Sequence, residues 1–390
     1  MNQELLAALN RPTKDERLKA LETLMSTARF PAPDPRYINN HIHTTYSFSP
    51  YSPTAAVYFA REAGLCTAGI IDHDSIGGAK EFLAAGKIAD LPTTVGLECR
   101  VSMAGTPFEA LRTNNPDQAG VSYMTMHAVP HGRIDEVQTY FAPLRERRNA
   151  RNRKMTGSID RLVSPYGIRL DFDRDVLPLS EYGDGGSVTE RHLMFALAQK
   201  LIASAGRGEP LVALLGRLGV ALSEKQKGLL RDEAYPFYAY DVLGILKSAF
   251  VPQIFIPAGG ECLSLREAVN FADHIGAVLC YAYLGDITDS VTGDKAAQKF
   301  EDDFLPALFD TLKEYGVRAV TYMPPRNTRG QLDRLRGLCK EYGMFEISGE
   351  DINSPRQDFV CKAMEDPQFS NLIDAAWALI AHERGEKRIF

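Results

Sequence analysis

Two histidines, His41 and His43, stand one residue apart in the run INNHIHTTYS. Side chains alternate along an extended segment, so positions 41 and 43 share one side and can hold one or two cations between them. For one such pair alone, core packing or hydrogen bonding is the commoner account. Further residues of the same chemical type follow. Asp72, His73 and Asp74 come directly after the apolar residues of IIDHDS, and Glu98 comes after Val95, Gly96 and Leu97. His127 and His131 follow another strand-like segment, SYMTMHAVPHG, and Asp351 closes MFEISGED. Ionisable groups at the ends of apolar strands are costly unless paired, hydrogen-bonded or metal-bound. Each alone fits a buried ion pair or a loop-end cap. Together, imidazoles mixed with carboxylates make the donor set of a zinc, manganese or iron centre.

The elements that must position these residues are legible in the same stretches. From Tyr37 onward, short strand-like and helix-like segments alternate. A helix is expected over 53–63, with Ser52 as N-cap, Pro53 in its first turn and Gly64 to stop it. A second is expected from about 78 to 85. Such alternation predicts a mostly parallel sheet with helices outside it and functional groups at the strand C-termini. Residues 141–250 instead carry several helical runs and few strands, which marks a helical insertion or cap; strand-like segments resume at GAVLCYAYLGD, RAVTYMPPR and GMFEISGED. Ahead of them, Leu5, Leu6, Leu9, Leu18, Leu21 and Leu24 fall at helical intervals broken by Pro12. The expected organisation is an N-terminal helical appendage over 1–36 and one large α/β domain over 37–390.

Composition narrows the partners. Among 390 residues, 44 Lys and Arg face 50 Asp and Glu, a formal charge of −6 with neutral histidines, which argues against a surface dedicated to nucleic-acid polymers or anionic membranes. The richest basic run, Arg145 to Lys154, is expected to be a solvated helix face. No stretch approaches the length of a membrane span and the N-terminus lacks a secretory core, so the expected location is the cytoplasm. Six scattered cysteines without a CxxC suit reduced core thiols.

The segments HIHTTYSFS, IIDHDS, GLEC, MHAV and SGEDIN occur in the order and rough spacing of the polymerase-and-histidinol-phosphatase (PHP) superfamily, which the chain resembles over about residues 38–365. The resemblance implies a distorted (β/α)7 TIM-like barrel of the PHP type, with the helical region as an insertion. It also implies one to three divalent ions, manganese, zinc or iron. By position, His41, His43 and Asp351 would serve one metal, Glu98 would bridge two, His73 would serve the second and His127 the third. Asp72 would orient His73, and Arg191 and His192 would face a substrate phosphate. Three positions depart from the family pattern: Phe48 stands where an aspartate is usual, and Tyr281 and Asn353 stand where histidines are usual.

The activity so implied is metal-dependent hydrolysis of phosphate mono- or diesters of a small molecule or nucleotide. His73 and His127 are candidate proton carriers beside a metal-activated water, with Asp72 in support. Arg326, Arg329 and Arg356 are candidate phosphate-binding forks. The alternative is a catalytically reduced module that binds a phosphorylated ligand in a regulatory or structural role. The oligomeric state, including a homo-oligomer, is left open.

Overall fold

The computed structural model describes residues 3–287 and 298–390. Helices α1 (Gln3–Leu9) and α2 (Lys14–Thr27) are separated at Pro12, and α2 starts on a reciprocal Thr13–Glu16 cap. The Arg17 guanidinium forks onto the Glu81 carboxylate at 2.9 and 2.6 Å, both side chains buried. Glu81 also accepts from the Thr54 hydroxyl. One bidentate pair thereby fastens α2 to α3 (Pro53–Glu62) and α4 (Ala79–Ala89). These two helices cross over between parallel strands β1 (Ile38–Ile42), β2 (Thr67–His73) and β3 (Thr93–Ser102).

The sheet is mostly parallel, as expected, and the next strand is the exception. Strand β4 (Val121–His127) runs antiparallel to both its neighbours. The connection before it, residues 103–120, contains no helix. Without a crossover element the chain returns beside β3 as a long hairpin.

Five helices follow: α5 (Ile134–Val163), α6 (Glu190–Ala205), α7 (Glu209–Arg217), α8 (Glu224–Arg231) and α9 (Tyr238–Ile254). They bury a core of their own, which also takes in Phe48. The basic run on α5 is a solvated face only in part: Arg147, Arg153 and Lys154 are exposed, and the other three arginines are not. Arg145, Arg148 and Arg151 recur every third residue, so they share one side of the helix, and that side is buried. Arg148 pairs with Asp74 and, at 3.0 Å, with Glu190. Arg151 reaches Glu190 at 2.6 Å and Glu261 at 2.9 Å, and Arg100 of β3 reaches Glu261 at 2.9 Å. The carboxylates that neutralise the run lie far from it in sequence.

After the short β5 (Leu263–Ser264), which pairs with β3, helix α10 (Leu265–Ile275) leads into β6 (Val278–Ala282). Helix α11 (Leu305–Tyr315) precedes β7 (Ala319–Tyr322), and α12 (Arg329–Tyr342) precedes β8 (Phe345–Ser348). The sheet runs β1-β2-β3-β4-β6-β7-β8. It nearly closes on itself through Ile352, whose N–H donates to the His41 carbonyl at 3.1 Å and whose carbonyl accepts from the His43 N–H at 2.9 Å. Helix α13 (Ser370–Glu383) packs beneath, where buried Glu383 accepts from the Thr94 hydroxyl and the Val95 N–H. The result is a distorted α/β barrel of mixed topology. Among the described residues no helix is long and apolar enough to cross a membrane.

Candidate metal centre

His41 and His43 leave β1 on its inner side, past a register shift between Asn39 and Ile42. Asn39 Oδ1 accepts the His41 N–H at 2.9 Å and fixes that shift. Across the seam, Gly349 lies so close that a Cβ there would sit 2.6 Å from His41 Cβ. Glycine is the residue that lets the loop after β8 bring Asp351 to this place. One donor atom each from His41, His43 and Glu98 lies within 4.8 Å of the others, all three residues buried. Around them, His43 Nε2 is 3.2 Å from Asp351 Oδ1, and His73 Nδ1 is 2.9 Å from Glu98 Oε2. The His43 and His73 rings lie 4.6 Å apart between centroids.

Electrostatics fit a cation here. Burial pushes the His41 imidazole down, and it pushes His127 down to about 3, with neighbouring His41 adding to the effect and Glu98 opposing it. Burial would raise Glu98, yet His73, His41 and His43 hold it down at about 2. Burial likewise opposes the His43 contact that holds Asp351 far below the usual carboxylate range. Among the described residues neither ring nitrogen of buried His127 has a hydrogen-bond partner, a costly state for an imidazole. Neutral imidazole with an idle lone pair beside ionised carboxylates is the donor chemistry a divalent ion requires. The cluster of His41, His43 and Glu98 can therefore hold one, with Asp351 and His127 at its edge.

Other residues singled out in the sequence lie at varied distances from this centre. Asp72 is buried and spends both oxygens on Thr44 and Ser47, with no hydrogen bond to His73 among the described residues. Arg191 donates to the Asn353 carbonyl at 3.2 Å and stacks on Phe48, its guanidinium 5.2 Å from the ring centroid. Burial lowers its pKa while Asp351 opposes. Arg326, which follows β7, donates to the Leu284 carbonyl at 3.3 Å and feels Asp351 in the same way. Neither guanidinium makes an ion pair among the described residues. His192 instead caps α6, its Nδ1 accepting the Thr189 N–H at 3.0 Å. Arg329 pairs with Asp333 and Asp366, and Arg356 forks onto Asp241, all near the surface. His131 lies on the barrel floor, 3.2 Å from Glu383.

The three departures from the PHP pattern have physical accounts. Phe48 packs edge-on against His192 and against Phe195, so it anchors the α5–α9 helices to the barrel mouth. Tyr281 joins the core outside the sheet, its hydroxyl near Glu301 and Thr113, and so points away from His127. Asn353 donates to Asp351 Oδ1 at 2.7 Å and steadies that carboxylate. Sequence reading missed the role of Thr44 and Ser47; two hydroxyls directly after HIH, with an acidic residue closing the next strand, were the available signal.

Fold and site together define an α/β barrel with a His/His/Glu cluster able to coordinate a divalent metal. No family model matches the chain. Over 98 residues, a quarter of this chain, it is 33% identical to error-prone DNA polymerases of Mycobacterium tuberculosis and Mycobacterium bovis, and the match spans 8% of their length. Among solved structures it is similar to a protein of Bifidobacterium adolescentis described as a metal-dependent phosphoesterase. The TM-score is 0.53 with 18% identity, over 88% of this chain and 98% of that one. It is also similar to an amidohydrolase of Chromobacterium violaceum solved with bound sulfate and no metal, with TM-score 0.54 and 16% identity over 87% and 96% of the two chains. At these identities the likeness is one of fold alone, a distorted α/β barrel.

Proposed function

We propose that this protein is a metal-dependent hydrolase of phosphate esters of a small molecule or nucleotide, with His41, His43, Glu98, Asp351 and His127 as metal ligands. The observation that carries the reading is the placement of Arg191 and Arg326. Most buried guanidiniums in the described structure are matched by carboxylates, whereas these two both feel the Asp351 charge yet make no ion pair among the described residues. Half-buried positive charge beside a metal cluster favours an anionic substrate group over a neutral amide. The phosphoesterase description of the Bifidobacterium protein and the sulfate in the Chromobacterium structure agree with that choice.

A bound divalent ion would supply Lewis acidity and a water acidic enough to ionise near neutral pH. Arg191 and Arg326 would hold the phosphoryl oxygens and fix their orientation. His73, partly open to solvent and anchored by Glu98 at Nδ1, would use Nε2 to pass a proton to the leaving oxygen. Arg329, Arg356 and His192 serve this reading less well, since each is already paired or capping.

The test is elemental analysis of protein purified without chelator, followed by assays on phosphomonoester, phosphodiester and amide substrates with manganese, zinc or iron restored. Bound metal with phosphate-ester turnover, lost in His41→Ala and weakened chiefly in KM by Arg326→Ala, is expected. Metal without turnover would favour a module that binds a phosphorylated ligand, and amide turnover alone would overturn the phosphate reading.

A further inference from the structure

We propose that Asp72 and Ser47 form a relay that sets the tautomer of His43, keeping its proton on Nδ1 and presenting Nε2 to the cation. The relay serves the metal-site reading above and its consequence for affinity rests on it; the tautomer itself does not.

The chain of donors admits one direction. A carboxylate accepts hydrogen bonds and gives none, while a hydroxyl owns a single hydrogen. The Asp72 carboxylate takes three donors: the Thr44 N–H at 2.7 Å, the Thr44 hydroxyl at 2.6 Å and the Ser47 hydroxyl at 2.6 Å. Lengths of 2.6 Å are those of a hydroxyl donating to a charged oxygen. The Ser47 hydrogen is thus committed to Asp72. Ser47 Oγ also lies 3.2 Å from His43 Nδ1 and has only lone pairs left for it, so Nδ1 must carry the hydrogen. With Nδ1 so committed, Nε2 is the position for the cation; without an ion it carries the hydrogen that His43 donates to Asp351 Oδ1 at 3.2 Å.

The backbone holds the relay in register. Thr44 is tied to Asp72 through both its N–H and its hydroxyl, and the Ser47 N–H closes a turn onto the Thr44 carbonyl at 3.1 Å. Rotating Ser47 toward His43 as a donor would strip a hydrogen bond from a buried carboxylate and leave the neutral ring's hydrogen on Nε2, the cation's position. Asp72 is therefore a positioning residue for His43, reached across the β1–β2 pairing. Its sequence neighbour His73 is served by a different carboxylate, Glu98.

The test is long-range proton–nitrogen NMR on protein labelled with nitrogen-15 histidine, metal-free and zinc-loaded, with His43 assigned by its loss in His43→Gln. Zinc affinity is measured in parallel by chelator competition for wild type, Ser47→Ala and Ser47→Thr. The expected results are a protonated Nδ1 on His43 in both states and zinc at Nε2. Zinc should bind about 10–100-fold more weakly in Ser47→Ala, the range for removing an outer-shell partner, and recover in Ser47→Thr. A role confined to stability would lower the unfolding temperature of Ser47→Ala and leave the zinc affinity of the folded protein unchanged, which would overturn the relay. So would an unprotonated Nδ1. If wild type binds no zinc, the metal reading fails on its own, and the metal-free spectrum still shows whether Nδ1 carries the hydrogen that the Ser47 contact requires.

Discussion

Replacing His192 by asparagine separates a structural histidine from a substrate-binding one. His192 is buried at the third position of α6, where its Nδ1 accepts the Thr189 N–H, and its ring meets Phe48. Burial, followed by the nearby Arg148 and Arg191 charges, pushes its pKa from 6.5 down to about 3. Because the folded value lies below the unfolded one, this group's contribution is complete above about pH 6.5 and is lost as pH falls toward 3. At about pH 5 the unfolded chain is protonated there and the folded one is not. At about 1.36 kcal/mol per pH unit over about 1.5 units, wild type loses about 2 kcal/mol from this residue. The asparagine of His192→Asn would keep a capping oxygen and cannot titrate. The variant should be less stable at about pH 7.5, by roughly 1–3 kcal/mol for the lost ring packing, and that gap should shrink by about 2 kcal/mol at about pH 5. His41 and His127 titrate with the same sign in both proteins, so the difference isolates His192. Urea unfolding at a series of pH values from about 7.5 down to about 5 measures it. A gap independent of pH would refute the reasoning, and a large rise in KM without a stability change would return His192 to the substrate.

Three other outcomes are expected. Glu190→Gln leaves Arg100, Arg148 and Arg151 short of a buried counter-charge. It should cost about 3–5 kcal/mol, seen by calorimetry as a fall of roughly 4–6 °C if the chain unfolds as one unit. Gly349→Ala forces its Cβ against the backbone and Cβ of His41; metal content should drop while circular dichroism holds, and unchanged metal would show that the loop yields freely. Tyr281→Phe should leave metal content unchanged, because that hydroxyl faces Glu301 and Thr113; loss of metal would mean that the strand turns over on loading.

Local signals carried most of what the sequence revealed. The helix starting at Pro53 is written in Ser52 and Pro53 themselves, and the ligand-type residues are conspicuous because they end apolar strands. What escaped depends on partners distant in the chain. The antiparallel β4 is fixed by a helix-free connection whose returning path no residue announces. The arginines of α5 look like surface because Asp74, Glu190 and Glu261 are invisible as partners until the fold assembles them. Asp72 lies beside His73 in sequence, and only the pairing of β1 with β2 turns it toward Ser47 and His43.

The barrel's seam has a consequence for the order of events in the cell. The stretch that completes the ring, around Ile352, binds the backbone of His41 and His43 directly and carries Asp351 beside it. The first and last donors are thus recruited from opposite ends of the domain. An emerging chain cannot assemble this donor set until synthesis has passed Asp351, so a cation would be captured late and only by a barrel that has shut. Capture would then act as a latch. Ion concentration would set how long the ring stays shut, since whatever binds the closed form alone stabilises it in proportion to the logarithm of its excess over the dissociation constant.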